Sequence, residues 1–170
     1  MIAVTETMPR IAAVSAETST ALRIAWKDGK EDVIELAGWL SRVGPVLAPL
    51  RDPAVFRAPI LAHYGAAVGW GDEKGDLGID AYHLSLIAAE QRPFSAADLA
   101  AWQAAVDLSN NEAADFLRLS LSAFNAYKAG DRPVPGAIAM LCRAALRDPV
   151  MVHAHHRPRQ AGRPRRALTA

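Results

Sequence analysis

The sequence predicts an α+β protein: a small mixed α/β N-terminal domain with a mostly antiparallel sheet, then an all-α domain of four helices. Three observations carry this. Residues 11–36 hold short apolar runs with partial alternation, the period-2 pattern of half-buried strands. Arg92-Pro93 interrupts the chain, because the residue before a proline avoids helical backbone. Beyond it the apolar residues recur with helical period, and Ser-x-x-acid boxes mark helix starts.

In the first half, Ile11 to Val14, Leu22 to Trp26 and Val33 to Leu36 read as strands. Lys27-Asp-Gly-Lys30 joins the last two as a hairpin, since glycine accepts the positive φ that a tight turn needs. Gly38 to Leu50 is broken by Gly44-Pro45 and Pro49 and reads as a short helical or irregular connection. Leu50-Arg-Asp-Pro53 reads as a turn into the next strand, with Phe56 as a core anchor. Ile60 to Tyr64 and Ala67 to Trp70 form a strand pair turned at Gly65. After the polar loop 71–76, Ile79 to Gln91 reads as one helix with Asp80 near its start.

The boundary at Arg92-Pro93 divides a domain over residues 1–91 from one over 92–148. Ser95-Ala-Ala-Asp98 caps a helix running to about Leu108, with Leu99, Trp102 and Val106 as its apolar stripe. Ser109-Asn-Asn-Glu112 is a capping box for a helix ending near Leu117. Ser120 caps the next, which stops at Gly130, a residue suited to the left-handed C′ position. Pro135 opens a last helix to about Arg147. The remainder, 149–170, carries three His, five Arg, Pro158 and Pro164, and is expected to be a disordered basic tail.

Composition bounds the function. With 51% apolar residues over 170 positions, the chain has material for a buried core, and disorder throughout is excluded. No apolar run reaches transmembrane length, and an N-terminus containing Glu6, Pro9 and Arg10 does not read as a signal peptide. The lone Cys142 excludes an intrachain disulfide and an all-cysteine metal site. A cytoplasmic protein without a membrane partner is expected. Charge is uneven: residues 1–90 carry eight Lys/Arg against twelve Asp/Glu, residues 91–148 six against six, and residues 149–170 five Arg and no acid. Cations concentrated at one end favour a polyanionic partner.

Residues 109–130 are the most specific stretch: two short helices joined by a tight turn. Ala114 is small where the helices would cross, Leu117 and Leu119 flank the turn, and Phe124 and Tyr127 point inward from the second helix. Over roughly residues 95–147, including Tyr127 to Gly130 and the following Asp131 to Pro135, the chain resembles the Cro/lambda-repressor type of helix-turn-helix. That resemblance implies DNA binding through Asn110, Arg118, Ser120, Leu121, Ser122, Asn125, Lys128 and Arg132. Asn110 would take the phosphate-contacting place, and Arg118, Lys128 and Arg132 would assist it. Ser122 and Asn125 carry the base-edge chemistry, Asn toward adenine and Ser toward either partner, whereas Leu121, Ala123 and Ala126 offer only apolar contact. Arg118 stands where the family usually has glycine.

In the first half, Trp26 to Gly29, Leu36, Leu50 to Phe56, Val68 to Trp70 and Asp76 to Asp80 resemble the bacterial domain-of-unknown-function family numbered 2442. That family is a small α+β domain, sometimes followed by a repressor-like helix-turn-helix, and the resemblance brings no catalytic residues. It implies a dimerisation or partner-binding role, and a homodimer would supply the two-fold symmetry of a DNA site.

Taken together these features point to a DNA-binding transcriptional regulator of bacterial type, antitoxin-like in layout, with double-stranded DNA as partner, no cofactor and no catalysis. The competing reading is a protein-interaction or dimerisation module that keeps the fold without reading DNA. His153, His155 and His156 could bind a metal only adventitiously, because the segment lacks supporting groups. Gly162-Arg-Pro-Arg-Arg166 is close to the core of an AT-hook but lacks the Arg before the Gly, and reads as a nonspecific cationic arm. Cys142, among Ile138, Leu141 and Ala145, is expected buried and inert.

Overall fold

The computed structural model describes residues 8–159 and shows an α+β fold that divides into two compact units at Arg92/Pro93. The first unit holds two three-stranded antiparallel sheets. Strands β1 (Ile11–Ala16), β2 (Ala21–Trp26) and β3 (Glu31–Glu35) form the first in sequence order. Its register pairs Leu22 with Ile34 and Ile24 with Val14, and Gly29 at φ 88 closes the Asp-Gly hairpin. Strands β4 (Pro59–Ala62), β5 (Ala67–Trp70) and β6 (Gly78–Asp80) form the second.

Between the sheets in sequence lie α1 (Ala37–Leu40), a 3-10 segment (Pro45–Arg51) and α2 (Pro53–Phe56). Asp52 caps α2 by accepting from the Ala54 N–H, so Leu50-Arg-Asp-Pro53 leads into a helical turn before the strand. Helix α3 (Ala81–Gln91) starts two residues later than its apolar pattern suggests. Gly78 to Asp80 pair with β5 instead, and Asp80 then caps the helix through the His83 N–H at 2.8 Å. A three-residue strand leaves no period for a sequence to display. Strand β4 also stops early, at Ala62. His63 and Tyr64 adopt left-handed φ of 50 and 55, and Gly65 follows at 85. A Cβ on Gly65 would collide with the Ile11 carbonyl of β1, so only glycine allows this approach.

The core of this unit gathers Ile11, Leu22, Ile24, Ile34, Leu36, Leu50, Phe56, Val68, Trp70 and Leu84, all at 1% exposure or less. The Trp70 indole donates to the Phe56 carbonyl at 2.8 Å, which satisfies the one polar atom of the largest core side chain.

The second unit is helical: α4 (Ala96–Ala105), α5 (Asn110–Phe116), α6 (Leu121–Ala129), α7 (Gly136–Arg147) and α8 (Pro149–His155). Both capping boxes form, Ser95 with Asp98 and Ser109 with Glu112. Leu99, Trp102, Ala113, Ala114, Phe116, Leu117, Phe124, Cys142 and Ala145 make its core, and Trp102 stacks on Phe116 with ring centroids 5.8 Å apart.

Helix α8 corrects the expectation of disorder from residue 149. Asp148 caps it by accepting from the Val150 N–H, Pro149 sits at the first helical position, and Met151 and Val152 pack against the core. Met151 and Val152 anchor a segment whose average composition is polar. The rest of the expected tail, residues 160–170 with Arg163, Arg165 and Arg166, lies outside the described residues.

Candidate nucleic-acid interface

Helices α5 and α6 are joined by four residues, Leu117 to Ser120. Leu117 is buried and Leu119 packs beside it, while Arg118 between them takes φ 59 and is exposed. The Leu119 N–H donates to the Ala114 carbonyl at 2.8 Å, which locks the reversal onto α5. The crossing is held by the buried Ala113 and Ala114, and Phe124 of α6 is fully buried against this side. Ser120 caps α6, its hydroxyl accepting from the Ala123 N–H and lying 3.2 Å from the Ser122 hydroxyl. Gly130 ends α6 at φ 84.

The exposed side of this pair carries a connected set of polar groups. Gln103 of α4 is buried at 7% exposure. The Lys128 ammonium donates to Gln103 Oε1 at 2.7 Å and to Asn110 Oδ1 at 3.2 Å. Gln103 Nε2 donates to the Leu108 carbonyl at 2.8 Å and to Asn110 Oδ1 at 2.9 Å. Asn110 Nδ2 donates to Asn125 Oδ1 at 3.1 Å. An ammonium only donates, so Lys128 fixes which end of both amides faces it. That choice propagates to Asn125, whose Oδ1 is engaged and whose Nδ2 is left on the exposed side.

Asn110, Asn125 and Lys128 are thus brought together. Ser120, Leu121 and Ser122 cluster at the start of α6, with Leu121 40% exposed. Arg118 in the turn and Arg132 beyond α6 are exposed and form no ion pair among the described residues. Lys128 faces inward to its two amide acceptors, which leaves Arg118 and Arg132 as the outward cations of the pair.

The segment after α8 folds back onto α5. His156 Nε2 lies 3.2 Å from Glu112 Oε1, and the Arg159 N–H donates to the same oxygen at 3.2 Å. The Arg159 guanidinium grips Asp115 Oδ2 at 2.7 and 3.0 Å. Glu112 also closes the capping box, with the Ser109 hydroxyl at 2.6 Å and the Ser109 N–H at 3.0 Å. The Ser109 hydroxyl above all, then its N–H, His156 and the Arg159 N–H, hold the Glu112 carboxyl down to about 2. Two basic residues expected in a free tail are therefore bound to α5.

Gln103, Glu112, Asp115, His156 and Arg159 were not singled out by the sequence for this face. Gln103 had a signal: it stands four residues after Leu99 and three before Val106, a polar side chain on an apolar stripe. The ion pairs to α5 span 44 positions and have no local signature.

Cys142 is fully buried on α7, and burial pushes its thiol up to about 12. Among the described residues no cluster of His, Cys, Asp or Glu could hold a metal ion, and no helix is long and apolar enough to cross a membrane.

No family model matches the chain, and no curated protein matches it. Among solved structures it is similar to the crystal structure of a "putative DNA binding protein" from Nitrosomonas europaea, at 25% identity over 91% of this chain and 96% of that one, with a TM-score of 0.45.

Proposed function

We propose that α5 and α6 act as a repressor-type helix-turn-helix and that the chain binds double-stranded DNA as a transcriptional regulator, antitoxin-like in layout. The observation that carries this reading is the amide chain from Gln103 through Lys128 and Asn110 to Asn125. A network anchored on the buried Gln103 that fixes one exposed amide, between two capped helices, suits a side chain that must meet a base edge in one orientation. Asn125 and Ser122 would read bases, while Arg118 and Arg132 would neutralise phosphates. Asn110 would serve both phosphate and Asn125. The binding role needs no cofactor and no catalysis. The first unit, with its resemblance to the family numbered 2442, would pair two copies into a homodimer matched to a two-fold DNA site. The compartment this reading fits is the cytoplasm.

The competing reading, a protein-interaction module, is favoured by one observation: Leu121 is exposed at the start of α6, a helix whose Ala123 and Ala126 offer no base-edge hydrogen bond. Binding to a pool of genomic duplex fragments at two salt concentrations separates the two. The variants are Asn125→Ala, Arg163/Arg165/Arg166→Ala, and a chain ending after Arg159, which keeps α8 and its ion pairs. Selective binding that Asn125→Ala weakens by about 1–3 kcal/mol supports the reader assignment. Binding that is unselective and disappears with the three arginines assigns it to electrostatics alone, with a salt slope of about 0.9 per phosphate lost. No binding by any form overturns the DNA reading.

A further inference from the structure

The first unit contains a groove of about 660 Å³ between helix α3 and the open end of the β1–β2 ladder. That volume falls within the range of small-molecule sites, about 300–1,000 Å³. Helix α3 explains the apolar side. Its Ala81, Leu84 and Ala88 turn into the core, while Tyr82, Leu86 and Ala89 fall on the opposite face at helical spacing and line the groove. Tyr82 and Leu86 are each 44% exposed, and Met8 beside them is 65% exposed. Trp26 closes the floor, its indole held by Asp32 at 2.6 Å.

The polar lining is cationic. Among the described residues, four basic side chains of the lining face one acid, Asp28. Asp28 is paired with Lys30 at 2.7 Å, and Arg92 is paired with Asp32 at 2.7 Å. Arg10 and Lys27 therefore supply the excess charge. The Lys27 N–H donates to the Arg10 carbonyl at 2.8 Å, so strand pairing sets these two cations side by side at one rim. Among the described residues Arg10 makes only a 3.5 Å contact to the His63 carbonyl and Lys27 has no ion pair.

We propose that this groove binds a small organic anion with a flat or chain-like apolar body, its anionic group between Arg10 and Lys27 and its body over Trp26, Tyr82 and Leu86. Charge complementarity selects this occupant. A second copy docked by the same face would bring its own cations against these. Duplex DNA would leave the apolar stripe of α3 without a partner. The proposal is independent of the DNA reading.

The test is titration of the full chain with anilinonaphthalene sulfonate, an aromatic anion whose fluorescence rises on leaving water, followed by displacement with octanoate. Saturable binding at one site per chain is expected, displaced by octanoate but not by octanol. Lys27→Glu and Leu86→Asp should each weaken it roughly tenfold or more, with unchanged far-ultraviolet circular dichroism. Exposed Leu61→Ser, away from the groove lining, should leave it unchanged. Unsaturable binding, equal displacement by the neutral alcohol, no binding, or indifference to both groove variants overturns the proposal.

Discussion

The two fully buried tryptophans, Trp70 and Trp102, set the two units apart. Trp70 in the first unit donates its indole N–H to the Phe56 carbonyl and packs 5.5 Å from the Phe56 ring. Trp102 in the second packs on Phe116 at nearly the same spacing, yet its indole nitrogen is buried with no hydrogen-bond partner among the described residues. Its neighbour Gln103 is likewise buried, and turns its amide toward Asn110 and Lys128. The first core is apolar and, among the described residues, leaves no buried side-chain polar atom without a partner. The second accepts an orphan donor and a buried amide next to the face proposed to read DNA, and a structure tolerates that kind of cost where placement matters.

Truncating the core of each unit measures the largest effect. Phe56→Ala and Phe124→Ala should each cost about 3–5 kcal/mol, read as separate urea transitions by circular dichroism. If both variants shift a single transition, the units do not unfold independently and the contrast fails.

Trp70→Phe and Trp102→Phe sharpen the contrast. The first strands the Phe56 carbonyl, while the second removes a donor that had no acceptor. The first should be the more destabilising by about 1–3 kcal/mol in chemical denaturation. Equal losses would mean that Trp102 finds a partner in solution.

The two capping boxes are matched in sequence and differ in what lies beyond them. Ser95→Ala and Ser109→Ala should each cost about 1 kcal/mol. Only the second box is pH-linked to the C-terminal segment, because Glu112 is held to about 2 by Ser109, His156 and the Arg159 N–H. A carboxyl depressed in the folded state adds stability above its unfolded value near 4.5 and loses it as pH falls toward about 2. Unfolding midpoints of the helical unit should therefore fall across that window. Glu112→Gln should flatten the decline, and a parallel decline in the variant would assign it to other carboxylates.

Arg118→Gly is the smallest and runs the other way. Left-handed backbone costs a non-glycine residue about 1–2 kcal/mol, so this change should stabilise the helical unit by about 1 kcal/mol. If Arg118 also neutralises a phosphate, the same variant should lower the salt slope of DNA binding by about 0.9. Stabilisation with an unchanged slope would remove Arg118 from the interface.

What could be read in advance was whatever is encoded locally. The Asp28-Gly29 hairpin, the Ser95 and Ser109 boxes and the stop at Gly130 each rest on a few adjacent residues and stand as the sequence predicts. Strand β6 was hidden because three residues cannot show alternation, and α8 because His and Arg outweigh Val150 to Val152 in any composition count. The connected amides were hidden for a different reason. Each member was visible as a polar residue, but the bonds from Lys128 to Gln103 and Asn110 cross 25 and 18 positions and exist only after three helices have packed.

The single cysteine gives the protein an experimental advantage. Cys142 is sealed on α7 and its thiol is pushed up to about 12, so a maleimide at neutral pH should pass it by. Dyes can then be attached to cysteines introduced at exposed Met140 and Asp76, one in each unit, without first deleting the native thiol. Energy transfer between them would report the distance between the two units in solution, and whether an added anion or duplex changes it.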